Sequence, residues 1–268
     1  MNRPLRIALN GASGRMGQAL QALLRSDRRF SLVHAVVTPG SEHDGVPVNR
    51  ELDDSLCFAH DWSAAPVLDA VIDFSGPAGL RAALEFCEAR NAALVTGTTG
   101  LDEVLTHRLD AAQARIPLLR AANFSLGVAV LTRLLRQAAA ALPDWDLEIV
   151  EAHHGRKEDA PSGTALALGE AAAAARGGSL ATQAVYAREG RPGARRSGSI
   201  GFAVVRGGDI VGEHQALLIG HGERIELGHR ATDRSIFARG ALEAAYWLAG
   251  RAPGGYDLDA MLADRAAG

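Results

Sequence analysis

Residues 6–18 read RIALNGASGRMGQ, and they decide the fold. Residues 6–10 form a short apolar run of strand character; Gly11, Gly14 and Gly17 follow at once, before helix-like spacing begins at Gln18. Strand, glycine-rich turn and helix open a parallel α/β unit, because glycines turn the chain tightly and let other groups approach a helix N-terminus. The rhythm then repeats. Residues 32–37, 70–73, 93–96 and 117–121 are further apolar runs of strand length, while 18–25, 79–89 and 101–114 carry apolar residues at helical spacing with charges opposite. Strands that are apolar throughout are buried on both faces, as in a parallel sheet with helices on each side. The sequence therefore predicts an α/β fold with a Rossmann-type doubly wound parallel sheet.

After Ser125 the rhythm changes. Residues 126–142 predict a helix stopped by Pro143, 147–151 a strand, and 165–175 an alanine-rich helix. The segment 177–198 mixes Gly, Arg and Pro and predicts a long loop. Residues 200–206, 210–219 and 224–230 then predict consecutive strands, turned tightly at Gly207-Gly208 and at 220–222, in an antiparallel or mixed sheet. This is a second, α+β domain. The amphipathic stretch 235–249 is expected to return and pack on the first domain.

Composition limits the function. The 268 residues are 47% hydrophobic and 22% charged with 30 glycines, which describes a globular chain rich in turns. A net charge of −3 argues against an electrostatic grip on nucleic acid or anionic membrane. No apolar stretch is long enough to span a bilayer, and MNRPLRIALN has no apolar signal core. Cys57 and Cys87 are far apart, with neither metal-site spacing nor the density of a secreted disulfide framework, so a cytoplasmic setting is expected. A small ligand is the expected partner.

The loop Gly11, Ala12, Ser13, Gly14, Arg15, Met16 places backbone N–H groups at a helix N-terminus, where a dinucleotide pyrophosphate binds; Arg15 adds positive charge. NAD-preferring folds close their second strand with an acid that takes the ribose hydroxyls. Here that strand runs into Val37, Thr38 and Pro39, with no carboxylate. The missing acid removes a repulsion against a 2'-phosphate, to which Thr38 or Ser41 offers a hydroxyl, and the reading leans to NADPH. The alternative is that Glu42 or Asp44 reaches back, or that both cofactors serve. Two further strand ends, Gly97-Thr98-Thr99 and Ala121-Ala122-Asn123-Phe124, lie where a nicotinamide and its carboxamide would be held. Thr99 and Ser125 read equally well as helix caps.

The chain's most reactive stretch is EAHHGRKEDAPSGTA, 151–165. If strand geometry persists, His153 and His154 face opposite ways, one to a ligand and one to the loop. Lys157 supplies a cation that can donate a proton or bind an anion. No Cys or His at matching spacing completes a metal site, and none is expected. Ser162, Gly163 and Thr164 open a helix as a cradle for a carboxylate, the plainer alternative being a simple cap beside a solvated loop. Proton donor, cation and anion cradle together suit reduction of a small acidic substrate.

At these residues the chain strongly resembles the bacterial dihydrodipicolinate reductase family. GASGRMG, DFSGP, TGTTG, AANFSLGV, EAHHGRKEDAPSGTA and IGFAVVRGGDIVGEH occur in the family's order over nearly the whole chain. The resemblance implies a dinucleotide-binding domain of residues 1–124 and 234–268, and a substrate-binding domain, 125–233, that builds a homotetramer through its sheet. It implies reduction of 4-hydroxy-tetrahydrodipicolinate, a small dicarboxylate, by NADPH and/or NADH on the diaminopimelate route to lysine. By motif, His153 is implied as the acid/base and Lys157 as its partnering proton donor, with His154, Gly163 and Thr164 touching substrate. The cofactor contacts implied are 11–16, 97–99 and 121–124. Many members end the second strand with an acid and an arginine, where this chain has Val37 and Thr38, so the resemblance does not choose between cofactors. Two rivals are another two-domain reductase of amino acids or sugars, and an NAD(P)-sensing regulator that turns nothing over; cofactor oxidation separates the second from an enzyme.

Overall fold

The computed structural model describes residues 3–48 and 56–267. In chain order the first elements are β1 (Leu5–Asn10), α1 (Arg15–Leu24), β2 (Phe30–Val36), β3 (Phe58–Ala59), β4 (Ala70–Asp73), α2 (Pro77–Arg90), β5 (Ala93–Thr96), α3 (Glu103–Ala112) and β6 (Pro117–Arg120). There follow α4 (Leu126–Ala141), β7 (Asp146–His153), α5 (Gly163–Ala175), α6 (Leu180–Gln183), β8 (Ala184–Val185), β9 (Ile200–Arg206), β10 (Gly212–Ile219) and β11 (Arg224–Ala231). Last come α7 (Ser235–Leu248), β12 (Gly254–Tyr256) and α8 (Leu258–Ala267). The chain separates into two compact units, Met1–Leu126 with Ser235–Gly268, and Gly127–Arg234.

The first unit holds a seven-stranded sheet in the order β12-β6-β5-β4-β1-β2-β3, parallel throughout. Its central strands are buried because both faces are covered. On one side Val71, Leu94 and Leu118 of the sheet pack against Leu80 and Leu84 of α2 and Leu105 and Leu109 of α3. Elsewhere α7 packs against α1 and against β4, β5 and β6, burying Ala238, Ala241, Leu242, Ala245 and Leu248. The helix expected to return to this unit is thus part of it. Two strands escaped the sequence pattern, β3 and β12, whose two and three residues are too short to show alternation. The helix expected from residue 101 starts at Glu103, because the Asp102 side chain caps it by accepting from the Leu105 N–H at 2.6 Å. Thr99 is not that cap.

The second unit is built on a five-stranded mixed sheet, β11-β10-β7-β9-β8. β7 pairs parallel with β9 and antiparallel with β10. It is therefore the middle strand and not an edge, and β9 and β10, consecutive in sequence, do not form a hairpin. Along β7 buried and half-buried residues alternate, with Leu147, Ile149, Glu151 and His153 inward. The apolar inward residues pack under Leu131 and Leu135 of α4 and Leu168 and Ala172 of α5. On the other face Val150 and Ala152 of β7, Gln215 and Leu217 of β10 and Val205 of β9 remain partly or largely exposed. The expected loop 177–198 contains α6 and β8: Leu180 is drawn into the core and Tyr186 stacks on Phe202.

Candidate active site

In the first unit, every cofactor segment expected from sequence lies just beyond the carboxyl end of a parallel strand, the edge where open α/β sheets bind ligands. Gly11 turns the chain away from β1 at φ +77°, and the Gly11 and Ala12 N–H groups donate to the Val36 carbonyl at 3.0 and 2.9 Å. Ser13 follows, and Gly14 ends the loop as N-cap of α1 with no side chain satisfying the helix terminus; Arg15, exposed, and Met16 form the first turn. A helix start of that kind leaves backbone N–H groups able to donate to an anion. α2 begins the same way, at Gly76 followed by Pro77. A Cβ at Gly11 would overlap the Phe74 carbonyl and one at Gly17 the Ala12 carbonyl, so the cradle's close approach depends on both glycines.

A cleft of about 380 Å³ opens beside this loop, lined by Asn10, Val37, Thr38, His60, Asp61, Trp62 and the 75–79 turn among others. Thr38, one of the residues expected to face the cofactor, lines it. Absent from the sequence reading were His60 and Asp61, which the short strand β3 carries into the same cleft. His60 Nδ1 lies 2.7 Å from Asp44 Oδ2, and Asp61, held by Ser63, has its carboxyl below the usual carboxylate range. Further along the edge, Thr98 is buried beneath Gly97 and Thr99, and the rings of Phe74 and Phe124 meet edge-on at 5.3 Å. Ala121 and Ala122 lead into Asn123, whose side chain accepts from the Ser125 N–H at 2.8 Å.

In the second unit, the strand persists through His153, so His153 faces inward, 9% exposed, while His154 turns away and is half-buried. His153 Nδ1 is 2.5 Å from the Glu151 carboxylate. Glu151 is itself buried, 1% exposed, and accepts from both Nη atoms of Arg206, at 2.8 and 2.9 Å, and from the Ser162 N–H at 3.0 Å. Burial alone would raise the Glu151 pKa, but the hydrogen bonds from Arg206, then His153 and Ser162, outweigh it and hold it low. The other ring nitrogen of His153 faces Gly212, where a Cβ would lie 3.1 Å from Nε2. Ser162 caps α5 through Ala165 N–H at 3.2 Å and also meets His214 Nε2 at 3.0 Å. Burial, then the neighbouring His153, push the His214 pKa down to about 4, so its ring is neutral.

Lys157 lies in the turn after His154 and pairs with Asp159 at 2.8 Å. Burial first, then Arg156, Arg234, His153 and Lys157, lower the His154 pKa. Gly163 is exposed at the start of α5, with open space about its Cα, and Thr164 is beside it. The returning segment grips this end of β7: Gly207 N–H donates to the His153 carbonyl at 3.0 Å and His154 N–H to the Ile210 carbonyl at 2.8 Å. The sequence points to His153, His154, Lys157, Gly163 and Thr164 by residue type, and of its two candidate caps, Ser162 and Thr164, the structure uses Ser162. Residue type does not single out Glu151, Arg206, Gly212 or His214, which the structure adds around His153. Alternation was the usable signal, since LEIVEAH puts a carboxylate at an inward, otherwise apolar position. Among the described residues, no group of three or more His, Cys, Asp or Glu side chains could hold a metal ion.

Family models described as dihydrodipicolinate reductase, N-terminus, and dihydrodipicolinate reductase, C-terminus, match residues 5–124 and 127–262. A 4-hydroxy-tetrahydrodipicolinate reductase of Caulobacter vibrioides is 46% identical over 265 residues, 98% of each chain. One from Cereibacter sphaeroides is 49% identical over 257 residues, 94% of this chain and 96% of that one. Among solved structures, dipicolinate-bound dihydrodipicolinate reductase from Paenisporosarcina sp. TG-14 superposes with a TM-score of 0.76 over 95% of this chain and 97% of the other. At 22% identity, that match speaks to the fold alone. With both units matched by models and the relatives aligned almost end to end, this chain belongs to the dihydrodipicolinate reductase family.

Proposed function

We propose that the chain reduces 4-hydroxy-tetrahydrodipicolinate to tetrahydrodipicolinate, consuming NAD(P)H and a proton and releasing water, with His153 as its acid/base. The observation that carries the residue assignment is the short contact between Glu151 and His153 Nδ1. Bound NAD(P)H supplies the hydride. Glu151 fixes a proton on Nδ1 and leaves Nε2 as the nitrogen that exchanges one, the orienting role a carboxylate plays beside a catalytic imidazole. Arg206 and the Ser162 N–H keep Glu151 an acceptor. Gly212 leaves the approach to Nε2 clear. Gly163 and Thr164, at the positive end of α5, receive a substrate carboxylate, with His154 alongside. Lys157 exchanges Asp159 for the anionic substrate and partners His153 in delivering the proton. The glycine loop and the ends of β5 and β6 bind the dinucleotide, so the first unit serves the cofactor and the second the substrate.

The cleft beside β2 favours NADH. Asp61 lines it beside His60, which pairs in turn with Asp44 at 2.7 Å, and among the described residues no lysine or arginine lines it. A 2'-phosphate would meet more negative than positive charge, which reverses the lean toward NADPH drawn from the missing acid on β2. For the partly exposed apolar face of the second unit's sheet, we assign pairing with further copies of the chain into a homotetramer. No helix of the described residues is long and apolar enough to cross a membrane, in keeping with a cytoplasmic reaction.

The test follows absorbance loss of NADH and, separately, NADPH, with substrate generated in place by the preceding synthase from pyruvate and aspartate semialdehyde. Substrate-dependent oxidation is expected, faster with NADH at low cofactor, and His153→Ala should lower kcat by about two orders of magnitude. Turnover with neither cofactor would sink the assignment and favour the sensor; undiminished turnover in the variant would remove His153 from the chemistry.

A further inference from the structure

Beneath the cofactor edge of the first unit lies a carboxylate that the mechanism has not used. Asp73, last residue of β4, is fully buried, and among the described residues no lysine or arginine pairs with it. Its donors come instead from three strand ends. Oδ1 accepts from Asn10 Nδ2 at 2.7 Å, from the Ser75 hydroxyl at 2.5 Å and from the Ser75 N–H at 3.3 Å. Oδ2 accepts from the hydroxyls of Thr96 at 2.7 Å and Thr98 at 2.6 Å. The cluster has one consistent sense. Ser75 Oγ accepts from Asn10 Nδ2 and donates its own O–H to Asp73, and Thr96 Oγ1 accepts from the Thr98 N–H and likewise donates to Asp73.

A buried carboxylate without a counter-charge is costly, and an apolar residue would fill a strand interior more cheaply. The cluster lies where the loops expected to hold the cofactor meet. Asn10 precedes Gly11, Ser75 begins the turn lining the cleft, and Thr98 stands between Gly97 and Thr99. The loops also touch sterically, for a Cβ at Gly11 would strike the Phe74 carbonyl and one at Gly97 the Phe74 ring. Because Asp73 takes their donor groups, Asn10 is left to show its amide oxygen, and Thr98 its hydroxyl lone pairs, to whatever enters. We propose that Asp73 is a positioning residue for the dinucleotide: it locks the loops after β1, β4 and β5 in one mutual arrangement and fixes which polar groups they turn outward. The inference rests on the reading of those loops as the cofactor site.

Asp73→Asn keeps the shape but sets an amide NH2 against donors that need an acceptor. Thr96→Val removes one fully buried donor to Asp73 together with the acceptor of the Thr98 N–H, both of them hydrogen bonds within the cluster. NADH affinity, by fluorescence titration well below each variant's Tm, should weaken about tenfold or more in Asp73→Asn and about threefold in Thr96→Val, as expected for lost charge-assisted hydrogen bonds. The KM for NADH should rise in parallel, while kcat at saturating NADH and the KM for substrate stay near wild type. If Asp73→Asn fails to fold, Thr96→Val carries the test. Wild-type NADH affinity in the folded variants, with only Tm reduced, would make Asp73 a core residue and overturn the proposal. A wild type that binds no NADH would overturn the cofactor reading beneath it.

Discussion

A protonation switch too deep to use is a stability liability, and His214 is one. Its folded pKa of about 4 lies below the ordinary imidazole value of 6.5 because the ring is buried and faces His153. A lowered folded pKa means that the unfolded chain takes the proton first. The stability is therefore complete above about pH 6.5 and is lost as pH falls toward 4, by roughly 3 kcal/mol in all. Thermal melts between pH 7 and 4.5 should show a drop in Tm that is visibly smaller in His214→Gln; parallel curves would show that His214 titrates elsewhere. Glu151, held low by Arg206, adds loss at the acid end in both proteins. At this scale the sequence disclosed reactive residues better than their supports. His153 and Lys157 advertise themselves by type, whereas Glu151, Arg206 and His214 matter only through partners 2, 55 and 52 positions away in sequence.

Elements repeated the pattern at larger scale. The parallel strands of the first unit were legible because burial on both faces makes them apolar throughout, and the helices because their period is sustained over two turns or more. The order of strands in the second unit was not, since β7 takes its neighbours from β9 and β10, and chain proximity suggested a hairpin instead. Within the loop from β1 to α1, the structure separates glycines that the motif treats alike. A Cβ at Gly17 would overlap the Ala12 carbonyl, while at Gly14 the nearest atom, the Gly11 carbonyl oxygen, is 3.2 Å away. Gly17→Ala should thus cost roughly 1–3 kcal/mol of stability, as overpacking does. Gly14→Ala should leave Tm nearly unchanged and raise the KM for NADH, because on the proposed reading its methyl group would crowd a pyrophosphate at the helix start. Equal Tm losses in the two variants would defeat this division of labour.

For the molecule as a whole, the sheet of the second unit offers the larger-scale test. Val205 is 49% exposed on the face that also carries Val150, Ala152 and Leu217, with the Glu213–Arg230 pair at 2.9 Å toward one edge. Val205→Asp should shift sedimentation at micromolar protein from a tetramer toward smaller species; a wild type that sediments as a monomer would refute the assembly. The change of rhythm near residue 125 marks the boundary between the two units, but composition and periodicity hint at their interleaving through one amphipathic helix alone, and it was the family resemblance that implied it outright. That interleaving has a consequence for how the protein is made. The second unit is one uninterrupted stretch, Gly127–Arg234, whereas the sheet begun by β1 lacks α7 and β12 until residues 235–256 have been synthesised. On the ribosome the inserted unit can therefore finish first, and the earlier-made sheet must wait with the seat of Ala238, Ala241 and Leu248 uncovered. Chaperone attention during translation belongs on the part of the chain that emerges earliest.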